Sequence, residues 1–298
     1  MYLVAAFFAA SVCMTVVVTS CDKEENIESG IVTITTSSSE CTIGLWGSGT
    51  ATIDWGDGTE SETVALMREQ IILSHTYSGI SNRNITVSGK ISGFICRQNQ
   101  IINLDVSKHK GLIYLGCDGN QLTNLDVSKN TGLKYLTCAG NQLTNLDVSK
   151  NSNLQELQCN DNQLTNLDVS GAVKLTLLNC YNNQLSGLNV TKNTLLKFSD
   201  CSGNQLKNLD ISKNTRLECI TCYNNLLTSL DVSKNIELFS LYCMDNQLNT
   251  VALNALFGTL PIRDPNSDYN GYINIVGNPG AYNCNKEIAT TRKWIVYY

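Results

Sequence analysis

A mostly β fold is predicted: a right-handed solenoid of 21-residue coils whose strands stack into a parallel sheet, with an N-terminal β-sandwich cap and a small α/β C-terminal cap. Three observations predict it. Cys96, Cys117, Cys138, Cys159, Cys180, Cys201, Cys222 and Cys243 follow one another at 21-residue intervals, with Asn99, Asn120, Asn141, Asn162, Asn183, Asn204, Asn225 and Asn246 three places after each. A fixed period of this size marks stacked supersecondary units. Residues 30–90 show short alternating β-branched runs instead, and after Leu253 the period gives way to mixed helical and extended patterns. The expected order is an export signal at 1–20, an acidic tether at 21–29, the sandwich at 30–90, the repeats at 91–251 and the cap at 252–298.

Residues 1–20 carry no charge and close on Val18-Thr19-Ser20-Cys21, followed by Asp22-Lys23-Glu24-Glu25-Asn26. An apolar run at the extreme N-terminus that ends on small residues reads as an export signal. A plain signal anchor and an uncleaved transmembrane helix are the alternatives. Val-Thr-Ser-Cys resembles the lipobox of bacterial lipoproteins, more closely than Val12-Cys13 does. The resemblance implies lipidation at Cys21 and membrane attachment through the lipid, with the multiple acyl chains that stable anchoring takes. The acidic stretch after Cys21 is similar to the tag that sends lipoproteins to the outer face of the bacterial outer membrane. Net charge is -5 without a basic cluster, so nothing points to a nucleic-acid partner.

In the head, Ile31–Thr35, Thr42–Trp46, Thr50–Trp55, Ile71–Tyr77 and Asn84–Val87 are β-branched at period two and separated by Gly and Ser. Strands of a small antiparallel sandwich are expected. Trp55-Gly56-Asp57-Gly58 with His75-Thr76-Tyr77 resembles the WGDG and HTY signatures of PKD-type immunoglobulin-like domains, in which Asp-Gly makes a tight turn. Asp57 and His75 read as turn and core-edge residues rather than catalytic ones. Such a domain is placed to cover the open first coil.

One coil, Leu133 to Asn153, reads LKYLTCAGNQLTNLDVSKNSN. This is the leucine-rich-repeat pattern LxxLxLxxNxL with cysteine at the third apolar position. Leu136 and Cys138 point inward on the short strand, and Tyr135, Thr137 and Ala139 outward. The asparagine column can satisfy backbone groups of its own and the adjacent coil, as an interior amide must. The return arm of about ten residues is too short for a helix with its connections, so an extended or 3₁₀ back is expected. Ser128, Ser149, Ser170, Ser212 and Ser233 are expected to bond backbone there. Asp105, Asp126, Asp147, Asp168, Asp210 and Asp231 form a like-charge column that Lys108, Lys129, Lys150, Lys192, Lys213 and Lys234 can interleave. Binding of cations by that column is the alternative.

The chain holds 13 cysteines. Those of the column sit at equivalent sites with parallel Cβ vectors, a poor geometry for disulfides, and are expected to be reduced apolar fillers. A line of thiols is not a metal cage, so no metal and no cofactor is expected. Cys41 and Cys284 are placed in opposite caps, and Cys219, in an outward column, is expected to be partly exposed. Cysteine in the repeat, the 21-residue period and the LTxLDVSxN return together resemble the cysteine-ladder branch of the internalin-like leucine-rich-repeat surface proteins. That resemblance implies adhesion or ligand binding, not catalysis.

The repeated positions are explained by the solenoid, so function is sought where the coils differ. On the expected concave face Tyr114, Tyr135, Leu177, Tyr181, Phe198, Tyr223, Tyr242 and Met244 place apolar and aromatic surface that folding gives no reason to put there. Tyrosine suits protein binding, and sugar stacking as well. Aromatic preference for strands is the plainer explanation. A protein ligand is expected, with glycan capture or a structural surface role as alternatives, and the protein as a monomer. With only His75 and His109 in the chain, and no nucleophile or phosphate loop, an enzyme is not expected. In the cap, Leu253–Phe257 looks helical, Tyr272–Val276 extended, Asn285–Thr291 helical and Trp294–Val296 extended.

Overall fold

The computed structural model of the protein describes residues 28–264 and 270–298. The export signal, Cys13, the lipidation site Cys21 and most of the acidic tether lie outside the described residues. Among the described residues no helix is long and apolar enough to cross a membrane. Fifteen strands form one hydrogen-bonded sheet.

The head contributes β1 (Gly30–Thr36), β2 (Glu40–Asp54), β3 (Glu62–Ala65), β4 (Ile71–Thr76), β5 (Arg83–Ile95) and β6 (Ile101–Lys108). The two strands expected at Thr42–Trp46 and Thr50–Trp55 are one. Gly47-Ser48-Gly49 passes through as an irregularity in the β2–β5 register, with Gly49 at φ 75°, rather than as a turn. One end of β2 pairs with β4 and the other with β3, while β5 runs along both parts. β5 also passes through the expected boundary at residue 90. Its first half pairs with β1, and its last residues, Gly93–Ile95, open the parallel ladder of the solenoid. The return arm of the first coil is taken up as β6, antiparallel to β1 with Ile34 opposite Leu104. Head and array therefore share main-chain hydrogen bonds and one apolar core.

Asp57 lies in the turn between β2 and β3. Its carboxylate accepts hydrogen bonds from Thr59 N at 3.1 Å and Thr59 Oγ1 at 2.6 Å, and lies 2.7 Å from His75 Nε2. These contacts, that from the Thr59 side chain foremost, hold its carboxyl below the usual range. His75 stacks on Trp55 at 5.0 Å, and Tyr77 Oη donates to Trp55 O. The WGDG and HTY residues thus tie the β2–β3 turn to β4.

The repeats supply β7 (Tyr114–Gly116), β8 (Tyr135–Thr137), β9 (Glu156–Gln158), β10 (Leu177–Asn179), β11 (Phe198–Asp200), β12 (Cys219–Thr221) and β13 (Ser240–Tyr242). Each pairs in parallel with the next at a register of 21 residues, as Leu136 with Leu157. The back carries no strand, only turns and one bridge between Asp147 and Asp168. Just after each strand the chain turns through the left-handed region. Asp161, Asn182, Asn224 and Asp245 have φ of 49–53° there, and Gly119, Gly140 and Gly203 occupy the same site in other coils. That one position accounts for a column of Gly, Asn and Asp, residues that tolerate positive φ better than most, with Gln98 at φ 55° the exception in the first coil.

Inside, Leu136, Cys138, Leu143, Val148 and Leu154 and their counterparts are buried. Each Asn of the column joins two coils. Asn141 Oδ1 accepts from Leu122 N at 3.0 Å, and Nδ2 donates to Cys117 O and Cys138 O at 3.0 and 3.1 Å. At the N-terminal end Asn99 binds both backbone groups of Thr42 in β2. A second amide file runs through the convex turns, where Asn130, Asn151, Asn193, Asn214 and Asn235 are fully buried. Asn151 Nδ2 donates to Val127 O and Asn130 O. His109 opens this file and Ala172 interrupts it.

The aspartate and serine columns work differently from expectation. Asp147 Oδ1 accepts from the backbone N of Ser149 at 2.8 Å, and the same bond recurs at Asp105, Asp126, Asp168, Asp210 and Asp231. The serine's main-chain N–H makes the repeated contact, and its hydroxyl adds to it at Asp105, Asp126, Asp168 and Asp210. Asn189 does the same for Thr191 without a charge, so the column selects a turn acceptor. Among the described residues none of the column lysines forms an ion pair with these aspartates.

All eleven described cysteines are free and buried. Desolvation pushes the Cys159 and Cys243 thiols up to about 12. Cys219 corrects the expectation of exposure. It lies between Phe198 and Ser240 in the outward ladder, is 3% exposed, and its thiol is likewise raised to about 12. Alternation fixes the direction of a side chain but not what covers it. Native protein should therefore show almost no column thiol to a water-soluble disulfide reagent, and the full complement once unfolded without reductant. Rapid labelling of several thiols in the native state would contradict this core.

Beyond β13 come α1 (Thr250–Thr259), β14 (Gly271–Asn274), α2 (Glu287–Thr290) and β15 (Trp294–Tyr297). Asn249 caps α1 by accepting from Ala252 N. β14 and β15 extend the parallel sheet in register, Leu241 opposite Ile273 and Ile273 opposite Val296. Asn278 continues the interior amide ladder, accepting from Leu248 N and donating to Cys243 O and Ile275 O. Ile275 thus stands where earlier coils have cysteine.

Candidate binding face

The outward side chains of the strands form three columns. The first holds Gly93, Tyr114, Tyr135, Glu156, Leu177, Phe198, Cys219, Ser240 and, one coil further, Tyr272. The second runs from Ile95 through Gly116, Thr137, Gln158, Asn179, Asp200, Thr221 and Tyr242 to Asn274. The third, just past the strands, runs from Arg97 through Asp118, Ala139, Asn160, Tyr181, Ser202 and Tyr223 to Met244.

The N-terminal third is closed by the head. Trp46, directly opposite Gly93 in the β2–β5 pair, lays its ring over that glycine and meets Tyr114 at 5.2 Å. Tyr114 meets Tyr135 at 6.1 Å. Arg97 donates to Asp118 at 2.6 Å and to Tyr114 Oη at 2.7 Å, and Thr137 Oγ1 donates to Asp118 at 2.8 Å. Tyr114 is consequently 6% exposed, which removes it from the expected contact surface. Its role is to join the head to the array, and the head residue Trp46 is what no repeat pattern could reveal.

Tyr135, Leu177, Tyr181, Phe198, Tyr223, Tyr242 and Met244 are each part-buried with some surface open. They run from the third coil to the last, and Tyr272 lengthens the row. Between the aromatic groups lies a polar segment that a search for aromatics passes over. The Glu156 side chain, in file between Tyr135 and Leu177, has no hydrogen bond or ion pair among the described residues, and desolvation raises its carboxyl. Asp200 is also raised by burial, against hydrogen bonds from Ser202 N and Oγ. Asn179, beside Asp200 in the ladder, and Asn160 have buried Oδ1 atoms without a partner. The signal was present in the aligned columns, where acidic and amide residues cluster in the fourth to sixth coils. Among the described residues no three of His, Cys, Asp and Glu converge as a metal cage.

Glu156→Gln is expected to raise the urea midpoint at neutral pH, by less than about 1 kcal/mol because the side chain is part-exposed. A carboxyl raised in the folded chain binds its proton more tightly there than in the unfolded chain. The wild type therefore gains stability as pH falls through the raised value, and the gain is complete below the ordinary carboxylate value. The advantage of the variant should vanish over that window; equal midpoints at neutral pH would show that Glu156 is fully solvated.

No protein-family model matches the chain, and no curated protein matches it. Solved structures do. The functional domain of InlJ from Listeria monocytogenes, which includes a cysteine ladder, is similar over 69% of this chain and 49% of that one, at 33% identity and a TM-score of 0.58. The internalin InlF from the same organism is similar over 69% of this chain and 59% of its own, at 19% identity and a TM-score of 0.56. A chain of the LRIM1/APL1C complex matches 67% of this chain and 38% of its own, at 16% identity and a TM-score of 0.53. The chain spans about half the length of the InlJ domain. Its coils of 21 residues, parallel sheet and file of buried cysteines make it a leucine-rich-repeat solenoid similar to those of the internalin type.

Proposed function

We propose that the protein is a cell-surface lipoprotein that binds a protein ligand through the outward, concave face of its sheet. The observation that carries this reading is the row of part-open aromatic and apolar side chains from Tyr135 to Met244, at sites where the repeat itself imposes no residue type. Tyrosine supplies a large contact area at low rotamer cost and is enriched at binding hot spots. Likeness to an internalin domain described as functional, and to a repeat protein found in a complex, supports a protein-interaction role.

In this reading 1–20 is a cleaved signal and Cys21 carries the lipid. Residues 21–29 are a solvated tether that holds the domain off the bacterial outer membrane, facing outward. Residues 30–90 act as a PKD-like sandwich cap, 91–251 wind as right-handed repeats, 252–298 close the far end, and the protein works as a monomer.

The test is the triple variant Tyr135→Ala, Tyr181→Ala and Phe198→Ala. It is expected to abolish capture of the protein ligand from host or microbial extracts, with a small change in thermal unfolding because all three side chains lie outside the core. Undiminished capture by a folded variant would show that another surface binds. Capture transferred to a glycan array, and lost there in the same variant, would favour the sugar-binding alternative.

A further inference from the structure

The fourth to sixth coils gather hydrogen-bond acceptors on the outward face, more than the donors around them satisfy. The register places Gln158, Asn179 and Asp200 side by side in one ladder, with Glu156 in the neighbouring column. In-register neighbours in a parallel sheet are about 4.8 Å apart. Asn160 and Asn179 are 5% and 4% exposed, and the Oδ1 atom of each has no partner. A buried amide oxygen left so costs about 1–3 kcal/mol, a cost that Asn130, Asn151, Asn193, Asn214 and Asn235 also carry in the convex turns, and that among the amides of the outward columns falls on Asn160 and Asn179. Asp161, which takes hydrogen bonds from Asn160 and Asn182, lies near enough to Asp200 for their charges to interact.

Cations do not answer these groups. Arg97 is the one basic residue of the three columns, and it stands three coils away, paired with Asp118. No ion pair involves Glu156, Asp161 or Asp200 among the described residues. The flanks are aromatic, with Tyr135 and Phe198 in the Glu156 column and Tyr181 beside Asn160. Carboxylates, unpaired amide oxygens and aromatic faces together are what an ammonium or guanidinium group requires, since it brings three to five donors and no acceptor. Oxygens spread along a ladder at this spacing do not converge on one point as calcium ligation at about 2.3–2.6 Å demands.

Resting on the concave-face reading, we propose that Glu156, Asn160, Asn179 and Asp200 form a cation-recognition patch that takes lysine or arginine side chains of the protein ligand. The probe is a fluorescently labelled hexa-arginine peptide, titrated by anisotropy against the full chain at low ionic strength. The double variant Glu156→Gln and Asp200→Asn keeps the shape of both side chains and an oxygen for Ser202. It is expected to weaken binding at least about tenfold, the loss of a desolvated charge pair. The control Asp126→Asn and Asp210→Asn removes the same charge from the return arm, where Asn189 shows that an amide serves the turn equally. It should bind as the wild type does.

Equal weakening in both doubles, or none in the site double, overturns the patch. If the site double binds the peptide normally while the aromatic triple still loses the protein ligand, the patch is wrong and the binding face stands. If the triple keeps its ligand while the site double alone loses the peptide, the patch stands as a cation site and the aromatic face falls.

Discussion

Asn162→Leu should be among the most destabilising single changes in the array, by roughly 3–5 kcal/mol. In the folded chain Asn162 Oδ1 accepts from Leu143 N at 3.0 Å, while Nδ2 donates to Cys138 O at 3.0 Å and to Cys159 O and Asn160 O at 3.1 Å. Leucine has the same branching at Cγ but is bulkier and has no polar atom. The Leu143 N–H would stay in the core without a partner, and carbonyls of two coils would lose their donor. Each such buried group costs about 1–3 kcal/mol. Stability in a solenoid depends on nearest-neighbour interfaces, so the loss should fall on the coils that carry Asn141 and Asn183. Urea unfolding should show an earlier midpoint, and amide exchange should quicken first in the third to fifth coils. An unchanged midpoint would mean that the ladder bonds contribute nothing net.

Gly93→Val is expected to cost about 3 kcal/mol by overpacking and to shift tryptophan emission to the red. A Cβ at Gly93 would stand 1.9 Å from Cε2 of Trp46. The indole would have to leave its place against Tyr114, uncovering the first coils and loosening the joint between head and array. Gly187→Ala is the matched control, because a Cβ there meets nothing within 4 Å. If Gly93→Val matched that control in midpoint and emission, the Trp46 contact would not be what closes the N-terminal end.

Much of the array could be read from residue order. The inward sites Leu136 and Cys138, the asparagine that bonds two coils, and the absence of a helix in the ten-residue return all follow from period, alternation and chain length. The second amide file was visible only as a recurrent Asn in a turn. Its burial appears once successive turns lie on one another. Asn278 was hidden by the insertion of α1, which breaks the count of 21 while Ile273, Ile275 and Asn278 keep the internal spacing. The lysine column looked like the partner of the aspartates, yet the nearer main-chain N–H of Ser149 and its counterparts satisfies the carboxylate within two residues.

Sequence alone determined the repeating unit, its inward columns and the direction of every strand side chain, because these depend on local periodicity summed along one axis. Tertiary structure alone decided which outward residues remain open. Tyr114 and Cys219 obey the same alternation as Tyr135 and Phe198. They are closed because Trp46 comes from a strand far back in the chain, and because neighbouring coils present side chains of particular size. Exposure and unpaired acceptors, at Glu156 and Asn179 as much as at the tyrosines, are properties of neighbours brought together in space.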